Sequence, residues 1–235
     1  GLAFGLHRAM DNAGALIGPA IAWALLSNGV PLRSVFLWAL VPGAVCFALT
    51  FAVDEPAHSS APKPVPFDWH VAGLARPIRR YLAVVALFTL GNSSNMFLLL
   101  RARELGTPEA LVPVLWAAVS AVAMVFTAPL SALSDSVGRV RLLMAGYAAY
   151  GLFYAALGLR AAGGPGLYAL FGAYGLFMAA TEGIEKALVA DLAEPAARGR
   201  AFGWFNLVSG LFLLPASLIF GGLYESLGAT TAFGF

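Results

Sequence analysis

Seven stretches of this chain run for about twenty residues without a charged side chain: 12–32, 34–53, 81–100, 110–134, 142–159, 161–181 and 201–224. A helix that crosses a bilayer needs roughly 20 mostly apolar residues. The pattern therefore predicts seven membrane-spanning helices, with an eighth beginning near Ser226. The first is expected to start before its uncharged run, close to Ala3, so that Arg8 and Asp11 fall inside it. Between the fourth and fifth spans lies the segment from Pro129 to Arg141, which reads as a tight polar turn. In it Gly138 permits a backbone reversal.

Composition fits this pattern. The chain is 60% hydrophobic and 11% charged, against about 25% charged in soluble domains. The predicted fold class is an all-α, polytopic membrane bundle. The net charge of +2 comes from basic residues in short loops, which suits orientation in a bilayer and not a nucleic-acid surface. With the Asp135 turn on the inside, Arg8, Lys63, Arg76, Arg79, Arg80, Arg139, Arg141, Arg198 and Arg200 are cytoplasmic, against Arg33, Arg101, Arg103 and Arg160 outside. That asymmetry follows the positive-inside rule. Lys186 lies within a span and belongs to neither side. Cys46 sits in an apolar run and reads as a small core residue.

One long connection, 54–77, divides the chain into 1–53 and 78–235. Its prolines at 56, 62, 64, 66 and 77 make its first half an extended linker, and 67–74 is expected as a short helix on the membrane surface. The motif Gly1-Leu-Ala-Phe-Gly5 returns as Gly199-Arg-Ala-Phe-Gly203, opening spans one and seven from the same side, as in a parallel repeat. There is no initiator methionine, and Gly1 opens directly into a helix, so the chain is expected to be a piece of a longer protein.

Polar residues inside the spans are the candidates for chemistry, because a charge at mid-membrane costs about 2.5–3.5 kcal/mol on insertion scales. Glu182, Glu185 and Lys186 are the most costly. Glu182 and Lys186, four apart, share a helix face and are expected either to pair or to leave Glu182 as a proton or substrate group. Arg8 and Asp11, three apart, are expected to neutralise one another. Asn92, Ser93, Ser94 and Asn95 follow Gly91 in mid-span, which implies a cavity lining and a locally opened helix, or else hydrogen bonds to neighbouring helices. Gly14 and Gly18 offer a smooth face for a neighbouring helix, and Pro19 removes a backbone donor. His7, His58 and His70 lack metal-ligand spacing. No phosphate-binding glycine loop is present, and Gly163-Gly-Pro-Gly166 reads as a short turn. Neither a metal nor a cofactor is expected.

Three motifs resemble the major facilitator superfamily of secondary transporters. Leu133-Ser-Asp135-Ser-Val-Gly138-Arg139-Val-Arg141 resembles that family's loop between its eighth and ninth helices, departing at Ser131 and Ser136. Gly14-Ala-Leu-Ile-Gly18-Pro19-Ala-Ile-Ala22 resembles its fifth-helix antiporter motif, with Ala22 in place of a frequent glycine. The stretch from Thr181 to Asp191 is similar to the tenth helix of uncharacterised bacterial members. The resemblance implies a partial bundle: helices five and six, the central loop, then helices seven to eleven and the start of twelve. It further implies that Asp135, Gly138, Arg139 and Arg141 form a conformational switch, with Asp135 against the first turn of the opening helix when the protein is open outward.

The function expected is alternating-access transport by a monomer in a bacterial inner membrane, with proton-coupled export of a small amphipathic compound. Glu182, Glu185, Lys186, Asp11 and Arg8 would carry the coupling, and the polar run at 92–95 would line the substrate cavity. Uptake symport is the runner-up. A membrane enzyme or scaffold is the reading from another class, and no nucleophile, metal cluster or paired catalytic acids support an enzyme.

Overall fold

The computed structural model describes residues 2–53, 70–108, 111–160 and 163–235, and the described residues contain helices and turns but no strand. Contacts divide the chain into two compact units, residues 17–67 and residues 1–16 together with 68–235. Helix α1 (Leu2–Ser27) contributes to both. Among the described residues, six stretches are long and apolar enough to cross a membrane: Arg33–Thr50, Arg76–Glu104, Val114–Val137, Arg139–Gly158, Pro165–Leu192 and Pro195–Leu227. Of the seven expected spans, α1 falls outside this set. It has the length, but His7, Arg8, Asp11 and Asn12 make its first half polar.

In the smaller unit the second expected span is two helices, α2 (Leu32–Trp38) and α3 (Leu40–Thr50). The break at Ala39 has a local cause: Pro42 has no N–H to donate to the carbonyl of Trp38 four residues earlier. Phe36, Trp38, Leu40, Phe47 and Phe51 are all exposed, as a lipid-facing segment would be. Cys46 is exposed as well, which corrects its reading as a core residue.

The larger unit adds α4 (Arg76–Leu90), α5 (Asn95–Glu104), α6 (Val112–Val137), α7 (Arg139–Gly158), α8 (Pro165–Leu192), α9 (Arg198–Leu227) and α10 (Ala229–Gly234). Most of the 54–77 connection lies outside the described residues. Its described part forms a three-residue 3-10 turn, Val71–Gly73, before α4 begins at Arg76, and the Arg200 guanidinium donates to the Gly73 carbonyl at 2.6 Å.

The expected polar turn from Pro129 to Arg141 is far shorter than read. Helix α6 runs through Pro129 to Val137, and Gly138 alone separates it from α7. Hydroxyls near its end support the carbonyls: Ser134 donates to Ser131 O at 2.6 Å and Ser136 to Leu133 O at 2.9 Å. The reversal then takes place at one residue with φ 103°, a conformation that favours glycine. Arg101, expected on the outer side, is buried at the end of the bundle away from Gly138. It donates to the last carbonyls of α7, Leu157 O at 3.1 Å and Gly158 O at 3.4 Å, and to Glu104 at 2.9 Å. Carbonyls at a helix end lack the usual intrahelical donors, and here Arg101 shares them with the Arg160 N–H on Leu157 O and the Thr230 hydroxyl on Gly158 O.

Helix α8 is central. It packs on α6, α7 and α9, and its buried face carries Phe171, Tyr174, Ile184 and Val189. Two hydrophobic clusters lie along it. One contains Leu98, Leu115, Phe153, Phe171 and Phe220; the other, nearer Gly138, contains Ile78, Leu82, Leu143, Ile184 and Phe205. Tyr147 packs against both. The two copies of the five-residue repeat open α1 and α9, and their phenylalanines, Phe4 and Phe202, meet with ring centroids 6.0 Å apart.

Gly14 and Gly18 do not mark a close helix approach: among the described residues nothing lies within 4 Å of where a side chain at either would begin. One close approach is at Gly5 of α1, Ser131 of α6 and Gly183 of α8. A Cβ at Gly183 would meet Ser131 Oγ at 2.5 Å and Gly5 Cα at 3.2 Å. Gly183→Ala should therefore lower stability by about 1–3 kcal/mol through overpacking, measured as thermal unfolding in detergent. Ser131→Ala should restore much of the loss, because that hydroxyl is buried without a partner. A Gly183→Ala protein as stable as wild type would show that α1 does not pack here.

Candidate transport site

The interruption expected after Gly91 is present: α4 ends at Leu90 and α5 begins at Asn95. Breaking a helix inside an apolar bundle leaves polar groups that need partners, and three tyrosines bond to one backbone carbonyl and three side chains of the break. Tyr150 of α7 donates toward both Gly91 O and Asn92 Oδ1 at 3.1 Å. Tyr154, one turn on, lies 2.9 Å from Ser93 Oγ. Tyr174 of α8 donates to Asn95 Oδ1 at 3.1 Å. Ser94 caps α5, its hydroxyl accepting from the Met96 N–H at 3.4 Å. The polar run thus bonds to neighbouring helices and also lines cavities, where the sequence had offered these as alternatives. The tyrosines were not singled out from sequence, although 147, 150 and 154 recur at the spacing of one helix face.

The carboxylates are partnered differently from expectation. Glu182 bonds to Arg8 of α1, with Arg8 Nε to Oε2 at 2.5 Å and Nη2 to Oε1 at 2.6 Å. Lys186 is half-buried and has no ion pair among the described residues. Arginine wins for two reasons. The Gly5–Gly183 approach brings Arg8, three residues beyond Gly5, beside Glu182, one residue before Gly183. Its planar fork then matches the carboxylate with two bonds, where an ammonium is a point charge. The expected Arg8–Asp11 pair survives only as a longer contact of 3.4 Å to Asp11 Oδ2, with His7 Nδ1 3.6 Å from the same oxygen. Asn12, buried, donates to the Arg8 carbonyl at 3.1 Å.

Glu185 is one turn along the same helix and has a neutral donor, the Tyr147 hydroxyl, at 2.9 Å. Tyr147 is itself held by stacking on Phe88, with centroids 3.9 Å apart.

These groups converge on one cavity of about 250 Å³. Asn92 and Asn95 from the broken helix, Glu182 and Glu185 from α8, and Phe88, Tyr174 and Phe177 line it. A wider, more open space of about 660 Å³ adjoins it at 92–95, with Gly210 and Ser217 of α9 on its far wall. Lys186, Asp11 and Arg8 do not line the cavity; Arg8 reaches it only through Glu182.

At the Gly138 end, Arg139 lies between two acids, 3.0 Å from Asp135 and 2.6 Å from Asp191 of α8. Arg141 is exposed and, with Asp135, Arg139 and Asp191, lines an open pocket at this end. Gly5 rests on Ser131, one turn before Asp135, so the beginning of α1 and Asp135 lie toward the same end of the α1–α6 contact.

An all-helical bundle of apolar spans around a polar cavity defines a multi-pass membrane protein. The Major Facilitator Superfamily model matches residues 81–235, and the chain belongs to that superfamily. It is also 33% identical over 233 residues to a protein of Methanocaldococcus jannaschii described as an uncharacterized MFS-type transporter. The match takes in 96% of this chain and 58% of the relative, so the chain spans less than two thirds of that protein. No solved structure matches.

Proposed function

We propose that the chain is the greater part of a secondary transporter that works by alternating access and exports a small amphipathic compound in exchange for protons. The observation that carries this reading is the contrast between the two cavity acids. Glu182 is neutralised by a bidentate arginine, whereas Glu185, among the described residues, is hydrogen-bonded to the Tyr147 hydroxyl and has no ion pair. A carboxylate at membrane depth with no cation bonded to it is a candidate functional group. Glu185 is therefore the proton carrier and Glu182 a structural anchor.

The relative's description as a transporter supports the class. The likeness of Gly14–Ala22 to an antiporter motif supports export. By that same likeness α1 and α8 belong to opposite halves of the transporter, so the Arg8–Glu182 bridge fastens the halves and must part when they separate.

Two measurements test this reading. Intact protein in vesicles under an imposed proton gradient should drive compound flux toward the acidic side; flux only in the opposite direction favours uptake symport, and none at all ends the transporter reading. In a Cys46→Ala background, a cysteine at Ser136 should label only from the cytoplasm and one at Gly163 only from outside. The reverse pattern would invert the topology.

A further inference from the structure

Resting on the transport reading, the two asparagines of the broken helix point to a substrate class. Asn92 and Asn95 are half-buried and line both the 250 Å³ cavity and the 660 Å³ space beside it. Each has its amide oxygen occupied by a tyrosine hydroxyl, Asn92 by Tyr150 and Asn95 by Tyr174, both at 3.1 Å. A side-chain amide has one accepting end and one donating end. With the oxygen held by a donor, the NH2 group points elsewhere. Among the described residues neither amide nitrogen has a hydrogen-bond partner, and neither is sealed from the open space. The break therefore presents N–H donors from two amides to the cavities.

The tyrosines hold that orientation. Tyr150 also donates to Gly91 O, and a carbonyl can only accept, so its hydrogen stays on that side. Tyr174 is fixed by ring packing, with centroids 4.5 Å from Phe153 and 5.4 Å from Phe177. The wider space supplies the rest of the selection. Among the described residues its lining has no charged side chain, and Met96, Leu213 and Leu214 make its apolar part. The hydroxyls of Ser93 and Ser94 are already engaged, with Tyr154 and with the Met96 N–H. A charged solute there would lie unpaired inside an apolar bundle, which is costly. A solute with donors alone would leave the amide N–H groups unmet. A neutral solute with an oxygen acceptor satisfies them.

We infer that the compound carried is a neutral one with a carbonyl or carboxamide oxygen, which accepts from the amide N–H groups of Asn92 and Asn95 while its apolar body covers Met96, Leu213 and Leu214. Tyr150 and Tyr174 are positioning residues that keep both amides turned donor-outward. Glu182 and Glu185 line only the smaller cavity, so this site is built without an acid.

Three phenyl compounds test the inference: acetophenone, a neutral acceptor; aniline, a neutral donor; and benzoate, a charged acceptor. Binding to the full-length protein in detergent at neutral pH, read by saturation-transfer NMR, should favour acetophenone over aniline by about fivefold, near the net worth of one hydrogen bond. It should favour acetophenone over benzoate by more. Replacing both asparagines, Asn92→Leu with Asn95→Leu, should bring acetophenone and aniline to similar affinity. Tyr174→Phe should narrow the preference, because the Asn95 amide can then turn; a merely structural hydroxyl would weaken all three compounds alike. Equal affinities in the wild-type protein, preference for aniline or benzoate, or no saturable acetophenone binding would each overturn the inference. So would a preference that survives in the double variant. The wild-type ranking needs no variant to fold. The transport reading is scored separately by proton-driven flux in vesicles. Driven flux with no acceptor preference leaves transport standing and removes the donor site. Acceptor preference without driven flux does the opposite.

Discussion

Replacing Glu185 by glutamine should lower gradient-driven flux by at least about tenfold while folded protein remains in the membrane, as expected for an ionisable residue placed at membrane depth for function. The side chain is nearly isosteric, and its amide oxygen still accepts from the Tyr147 hydroxyl at the 2.9 Å position, so packing is kept and only the exchangeable proton is lost. Glu185→Asp should retain coupling at a reduced rate, because the carboxylate survives but retreats from Tyr147. Tyr147→Phe should shift the pH profile of flux and leave yield nearly unchanged, since stacking on Phe88 continues without the hydroxyl. The reading fails if Glu185→Gln transports normally, or if neutralising Glu182 in an Arg8-compensated background is what stops flux.

The second large effect is at the α1–α8 bridge. Arg8→Met leaves Glu182 as an unpaired acid, and a lone charge at helix centre costs about 2.5–3.5 kcal/mol on insertion scales. Glu182→Gln should cost less, because Arg8 is more exposed, 35% against 20%, and keeps Asp11 at 3.4 Å. The double variant should recover most of the yield and thermal stability in detergent. It should also retain gradient-driven flux, since Glu185 is untouched. Losses that simply add would mean the two side chains are not coupled. Recovery of stability with complete loss of flux would return the proton role to Glu182.

The sequence alone determined the class of this molecule. Apolar runs long enough to span a bilayer, the nearly charge-free interior and the motifs around Gly138 and Gly14 require no tertiary information, because the bilayer imposes length and polarity on each segment separately. The break after Gly91 was legible for the same reason, since a row of polar side chains in mid-span is too costly to leave against lipid. Pairing was not legible. The local spacing of Glu182 with Lys186 and of Arg8 with Asp11 satisfies helix-face rules, yet the strong bridge joins residues 174 positions apart. Only the approach of α1 to α8 over Gly5 and Gly183 brings them together, and that approach depends on which helices are neighbours. The tyrosine clamp on 91–95 and the burial of Arg101 against the end of α7 have the same origin. The tertiary structure thus decided which acid is already satisfied and which is left to bind, because a partner across helices changes a buried charge more than any residue beside it in sequence.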